Sequence, residues 1–340
     1  MAGFTCVILS AAPGAEFVET RACAPVEALA RACEAEARLQ QAIERCQAAF
    51  VFVGGGSGVC ISSDGYVFTN HHVIQRHTTW NLRVFGVDRH HTADVVGIDP
   101  MGDVALLKIR DARDLPFVEL TVPTSVRTGQ MVLALGDPFK LGDQDGPPSV
   151  GLGTLCALHR YQNDPRTPAT SFFADALQTD AAVNPGSSGG PLFDLKGRLL
   201  GITGLIMSRF GGKANSGIAY AVPATQLARF LPLLKRANGS AVHHGTLPAG
   251  LGLGWERTEV TDTGGAMVES VEARSPAERA GFRAGDRIVK ADGEEVTGPY
   301  RLTGIVQSRP EETTVSFEIR REAQRVDVTC VLPRYSRESK

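Results

Sequence analysis

The chain has 340 residues, 43% apolar and 21% charged, with 35 Lys and Arg against 37 Asp and Glu for a formal net charge of −2. That length accommodates two or three domains with cores of their own, and the charge balance offers no basic field for nucleic acid or an anionic membrane surface. Seven cysteines without a close C-x-x-C pair argue against a disulfide framework or a zinc site, and 37 glycines beside few aromatics suit a loop-rich β protein.

The first residues, "MAGFTCVILSAAPGA", place no Lys or Arg before their short apolar run. They make a poor signal peptide, which leans the expected location toward the cytoplasm. No run approaches the roughly 18 apolar residues of a membrane-spanning helix. Residues 25–48 follow as a predicted helix, with Pro25 in its first turn and Val26, Leu29, Cys33, Leu39, Ile43 and Cys46 as an approximate apolar stripe. Such a stripe suits docking or an oligomer contact. From about Ala49 to Pro223 the pattern changes to short runs split by glycine and proline: "FVFV", "GVCIS", "YVFTN", "LRVFGV", "DVALLKI", "MVLALG", "RLLGITGLIM" and "GIAYAV". Strands of this kind predict an all-β barrel or sandwich. "TQLARFLPLLKRAN" then puts Leu227, Phe230, Leu231 and Leu234 on one helical face, with Pro232 as a point of kinking. Gly239–Gly250 is polar and glycine-rich, a predicted linker. Residues 250–333 form a smaller α+β unit, with strands "AMVESV", "TVSFEIRR" and "RVDVTCVL" around two short helices.

The segment "DAAVNPGSSGGPLFD" (Asp180–Asp194) sets two serines among glycines. They are either turn filler or a nucleophile raised on a tight loop. A nucleophilic serine needs a base and an orienting carboxylate. "SSDGYVFTNHHVI" supplies His71 and His72 at the end of a strand pair, and "VGIDPMGDVALLKI" supplies Asp103 just before an apolar strand. Alternation along a strand lets only one of the two histidines face the serine.

Together with "LALGDPFKLG" and "GIAYAVP", these segments resemble, in family order, the HtrA (high-temperature-requirement) serine proteases, over about Phe50 to Pro333. The resemblance implies a mainly β chain: a chymotrypsin-like double β-barrel over 49–238, a linker at 239–249 and a small α+β PDZ domain over 250–335, after an N-terminal segment 1–48 with a helix. It implies His72 as base, Asp103 as its orienting acid and Ser188 as nucleophile, with the Gly186 and Ser188 amides holding the oxyanion. Three departures stand out: Ser187 and His71 occupy positions where the family usually has asparagine, and "GNPF" is here "GDPF". "GITGLIMSRFGGKANSGIAYAV" carries no acidic residue, which favours small or medium apolar P1 side chains. "GLGL" resembles the PDZ loop that binds a terminal carboxylate, implying Leu251, Gly252 and Leu253 as its amide donors. The expected partners are unfolded proteins and peptide C-termini, the expected oligomer is a trimer, and no cofactor or metal is implied.

The pairs His90-His91 and His243-His244 read as solvated loop residues rather than ligands, and "GGGSG" (Gly54–Gly58) as a tight β approach rather than a phosphate loop. Phe50, Phe52, Phe172 and Phe173 stand either as core or as a trimer contact. Two functional classes remain open, an active endopeptidase and a catalytically dead peptide-binding scaffold.

Overall fold

The computed structural model describes residues 26–75, 77–142, 146–163, 172–206, 216–245, 251–255, 264–322 and 324–334. Helix α1 (Val26–Gln47) runs across the division, at Gln40/Gln41, between two compact units of the chain. The apolar stripe read on it is buried only toward its end: Cys46 and Ala42 are buried, whereas Val26 is 85% and Leu29 57% exposed.

Six short strands close the first barrel: β1 (Phe50–Val53), β2 (Gly56–Cys60), β3 (Tyr66–Thr69), β4 (Thr79–Val84), β5 (His90–Asp99) and β6 (Val104–Ile109), in the order β1-β2-β3-β6-β5-β4. Alternation sends Val51, Val53, Val67, Leu82, Val84, Ala105 and Leu107 into its interior. Phe50 and Phe52 take the other face of β1 and are also buried, edge to face at 4.9 Å between centroids. Both are core, as is Phe173; the side chain of Phe172 lies outside the described residues. Gly54 and Gly55 make the hairpin turn from β1 to β2, the tight β approach expected of "GGGSG".

The second barrel comprises β7 (Met131–Gly136), β8 (Ser149–Asn163), β9 (Phe172–Thr179), β10 (Pro191–Asp194), β11 (Leu199–Ile206) and β12 (Ala219–Pro223), in the order β10-β11-β12-β9-β8-β7. Helix α2 (Ala224–Arg236) follows, burying Leu227, Phe230 and Leu234. Pro232 sits inside it without ending it.

The chain then builds a six-stranded sheet from β13 (Leu253–Trp255), β14 (Ala266–Val271), β15 (Arg287–Ala291), β16 (Glu294–Glu295), β17 (Thr314–Arg321) and β18 (Gln324–Val331), with helices α3 (Pro276–Ala280) and α4 (Pro299–Gln307). Ser275 caps α3 through a hydrogen bond from the Glu278 amide, and Gly281 ends it in the left-handed region. Helix α4 packs against β8 and β9, and a Cβ at Gly304 would overlap the Ala174 carbonyl oxygen.

Residues 239–245, expected as a solvated linker, are instead laced into the fold. Val242 N–H donates to Ile98 O at 2.8 Å, and Gly245 N–H to Arg309 O at 2.9 Å. His244 is 0% exposed, with Nδ1 2.5 Å from Gln307 O and Nε2 2.7 Å from both Asp99 oxygens. The sequence misleads here because a histidine with two buried acceptors looks, letter by letter, like one in water. His91 departs from the solvated reading too: it is buried on β5, opposite Leu82. Among the described residues, no helix is long and apolar enough to cross a membrane.

Candidate functional site

β3 ends at Thr69, and the chain turns through Asn70 into a 3-10 turn at His71–Val73. The two histidines therefore sit on a helical turn, not on a strand as the sequence suggested, and separate by helical rather than alternating geometry. Asp103 lies at the turn between β5 and β6, 6% exposed, in the left-handed region at φ 54°. Its carboxylate addresses His72 twice: Oδ1 accepts the His72 amide at 3.0 Å, and Oδ2 lies 2.7 Å from Nδ1. The Asp103 carbonyl accepts from the Asn70 side chain at 2.8 Å and from the His71 amide at 3.2 Å. The acid and the turn carrying the imidazole are thereby one hydrogen-bonded assembly. His71 takes no part in the carboxylate pairing; burial holds its imidazole below the usual histidine range, against the opposing pull of Asp103 and Asp99.

The serine loop connects β9 to β10. Gly186 and Gly189 have φ of 101° and 85°, where a side chain is strained. The space is also closed: a Cβ on Gly186 would overlap the Asp137 carbonyl oxygen, and one on Gly189 would overlap Ser57 O and Thr69 Oγ1. Ser187 is buried against Gly136, its Oγ 3.5 Å from the Asn184 amide. Ser188 is half-buried, and its carbonyl accepts from the Ser57 amide at 2.8 Å. The two hydroxyls therefore differ in setting, one packed inward and one at the rim. Among the described residues, the Gly186 and Ser188 amides donate to no protein acceptor, whereas the Ser187 amide is bonded to Asn184 O at 2.9 Å.

Asp137, the aspartate of "GDPF", is buried, and its Oδ1 accepts the Gly142 amide at 2.7 Å, closing the loop after β7. Residues 207–215, within the stretch read as setting P1 preference, lie outside the described residues. In the C-terminal sheet, Leu251 and Leu253 are buried in its core, and Gly252 between them has φ 72°. β13, which begins at Leu253, lies at the edge of the sheet and pairs there with β14.

His159, Asp175 and Glu294 bring three possible metal-ligand atoms within 4.8 Å of one another. The Arg301 guanidinium already neutralises both carboxylates, at 2.7 Å from Asp175 and 2.5 Å from Glu294. It occupies the role a cation would take.

Two family models match the chain, a trypsin-like peptidase domain over residues 56–202 and a PDZ domain over 267–321. A probable periplasmic serine endoprotease DegP-like of Marinomonas sp. is 33% identical over 284 residues, 82% of this chain and 56% of that protein. The periplasmic serine endoprotease DegP of Escherichia coli K12 is 31% identical over 296 residues, 84% and 58% of the two chains. This chain thus spans about half the length of these curated relatives. Among solved structures, the HtrA-type protease AlgW with tripeptide has a TM-score of 0.64 at 29% identity, over 88% of this chain and 97% of that one. A serine endoprotease from Yersinia pestis has a TM-score of 0.56 at 28% identity, covering 88% and 98%. The cytoplasmic location leaned to from the sequence finds no support here, since the curated relatives are named periplasmic.

Proposed function

Because the chain belongs with the HtrA-type serine proteases, a trypsin-like peptidase domain joined to a PDZ domain, we propose that it is an endopeptidase acting on unfolded polypeptides through Ser188, His72 and Asp103. The observation that carries the reading is the double contact of Asp103 with His72, at 2.7 and 3.0 Å, beside a glycine-framed loop whose Ser188 is at the rim. With Nδ1–H bonded to the carboxylate, the neutral imidazole presents Nε2 as the base. His72 takes the Ser188 proton as Oγ attacks the scissile carbonyl, and it returns that proton to the leaving amine. An acyl-enzyme results, and water attacks it by the same route with the roles reversed. Asp103 holds the tautomer and stabilises the imidazolium. The Gly186 and Ser188 amides, with no protein acceptor of their own among the described residues, are the donors for the oxyanion.

The edge strand β13 supports a peptide-binding role for the C-terminal sheet. A peptide adds alongside β13, with its carboxylate on the amides of Leu251, Gly252 and Leu253. The relatives' names favour a periplasmic over a cytoplasmic setting. A fluorophosphonate probe tests the central reading. Labelling should map to Ser188, casein hydrolysis should vanish in Ser188→Ala, and much of it should survive in Ser187→Ala. A folded protein that takes no label yet binds peptides with free apolar C-termini would instead be a scaffold.

A further inference from the structure

An oxyanion hole made of main-chain amides requires that the peptide planes carrying them be held still. In this loop the first donor belongs to Gly186, which lacks a Cβ and sits at φ 101°. Glycine turns readily between orientations, so something outside the loop must fix the plane. Phe139 holds the plane that carries the Gly186 N–H, and the planes on either side of the Ser188 donor are held from the first barrel. Ser57, on β2 of the other barrel, is 0% exposed, and its Oγ donates to the Gly186 carbonyl at 2.8 Å. The same oxygen accepts the Asp137 amide at 3.0 Å. The Ser57 amide meanwhile donates to Ser188 O at 2.8 Å, and Ser57 O accepts from Thr69 Oγ1 at 2.7 Å. One residue therefore grips the carbonyls of Gly186 and Ser188, fixing the peptide planes before and after the one that carries the Ser188 donor.

From this geometry we infer that Ser57 is a positioning residue for the oxyanion loop; the inference rests on the endopeptidase reading above. A trans peptide is planar, so fixing the Gly186 carbonyl fixes the orientation of the Gly186–Ser187 plane. The preceding plane is held separately, by the Phe139 amide on Pro185 O at 2.8 Å. Without the Ser57 hydroxyl, the Gly186 carbonyl loses its donor and the buried Asp137 amide loses the Ser57 oxygen. Satisfying the Gly186 carbonyl by rotation of the Gly186–Ser187 plane re-aims the plane that follows, and with it the Ser188 donor. Ser57 touches neither substrate nor the reacting atoms; it acts through Gly186.

The test compares wild type with Ser57→Ala on a short chromogenic peptide, together with two inhibitors of the same peptide sequence. One is a trifluoromethyl ketone, whose adduct on the serine carries a negative oxygen; the other is an uncleaved amide. Deleting one oxyanion donor outright costs about 100- to 1,000-fold in kcat, and a lost support should cost about 10- to 100-fold with KM changed less than about threefold. Ser57→Ala should weaken the ketone in parallel with kcat and leave the amide unchanged, and Ser57→Thr, which restores a hydroxyl, should recover part of both. Ser57→Cys, alike in shape with a slightly larger atom and a weaker hydrogen bond, carries the same comparison if the alanine variant does not fold. A kcat within twofold of wild type, or equal weakening of ketone and amide, overturns the inference while the endopeptidase reading stands. Wild-type protein that hydrolyses nothing and takes no fluorophosphonate overturns both.

Discussion

Removing the imidazole of His244 tests how much the buried His244–Asp99 pair contributes. The two side chains are 0% and 1% exposed, so neither charge is answered by water. The Nδ1 neighbour is a carbonyl oxygen, which only accepts, and both Nε2 neighbours are carboxylate oxygens. The protonated ring can donate at both nitrogens, and it lies beside the Phe230 ring at 4.4 Å. Burial works against that charged state, but the Asp99 carboxylate and the hydrogen bonds to it and to Gln307 O outweigh burial and raise the His244 pKa above the ordinary value. In His244→Ala, Asp99 keeps its bond from the Gly102 amide at 2.8 Å but loses its counter-charge. Breaking a buried pair in this way costs about 3–5 kcal/mol. The sign with pH follows from the raised pKa. An unfolded histidine titrates near about 6.5, so the stabilisation is complete below that pH and fades as pH rises through the higher folded value. Urea unfolding at pH 6 and pH 8, in a Ser188→Ala background to prevent self-digestion, measures both effects. Wild type should lose stability between the two pH values, and His244→Ala should start lower and change less. A cost below about 1 kcal/mol, or the same pH slope in both proteins, refutes the reasoning.

Other outcomes follow from the same structure. Asp103→Asn should preserve the fold yet lower kcat by about 10,000-fold, because the amide selects the wrong imidazole tautomer; steady-state kinetics with a thermal-melt control checks it. Gly304→Val forces a side chain into the Ala174 backbone and should destabilise by about 1–3 kcal/mol, read as a fall in urea midpoint that Gly298→Val, with open space around it, does not share. Burial pushes the Cys46 thiol up to about 12 and the Cys60 thiol up to about 11. At pH 8 iodoacetamide should therefore label exposed Cys33 in the native protein and reach Cys46 and Cys60 only after denaturation, as mass spectrometry would show.

The strands were legible where a run of apolar letters coincides with a barrel wall, as in "FVFV", "DVALLKI" and "MVLALG". β5 was not, because "HHTADVVGID" opens with polar residues whose burial depends on a neighbouring strand. The glycine-framed serine pair, the histidine pair and Asp103 stood out in the sequence, and resemblance alone chose among them; their local geometry was not legible, since the histidine pair occupies a 3-10 turn. Ser57 escaped notice because its part is played through main-chain partners at Asp137, Gly186 and Ser188, the nearest of them 80 positions away along the chain. No local pattern encodes such a contact. His244 escaped for the opposite reason, since a glycine-rich polar setting usually does mean solvent.

The position of Asp99 also bears on how this protein can be cut and recombined. Along the chain, the natural place to exchange the C-terminal unit is the glycine-rich stretch after Ala237. In three dimensions that cut misses, because the carboxylate that neutralises His244 belongs to β5, far upstream. A graft made at residue 239 and bringing an apolar side chain to the place of His244 would leave the buried Asp99 carboxylate without its His244 partner. Replacing Asp99 by a neutral residue in the same step removes that fault. The unit of exchange is thus the C-terminal segment together with one residue of the first barrel.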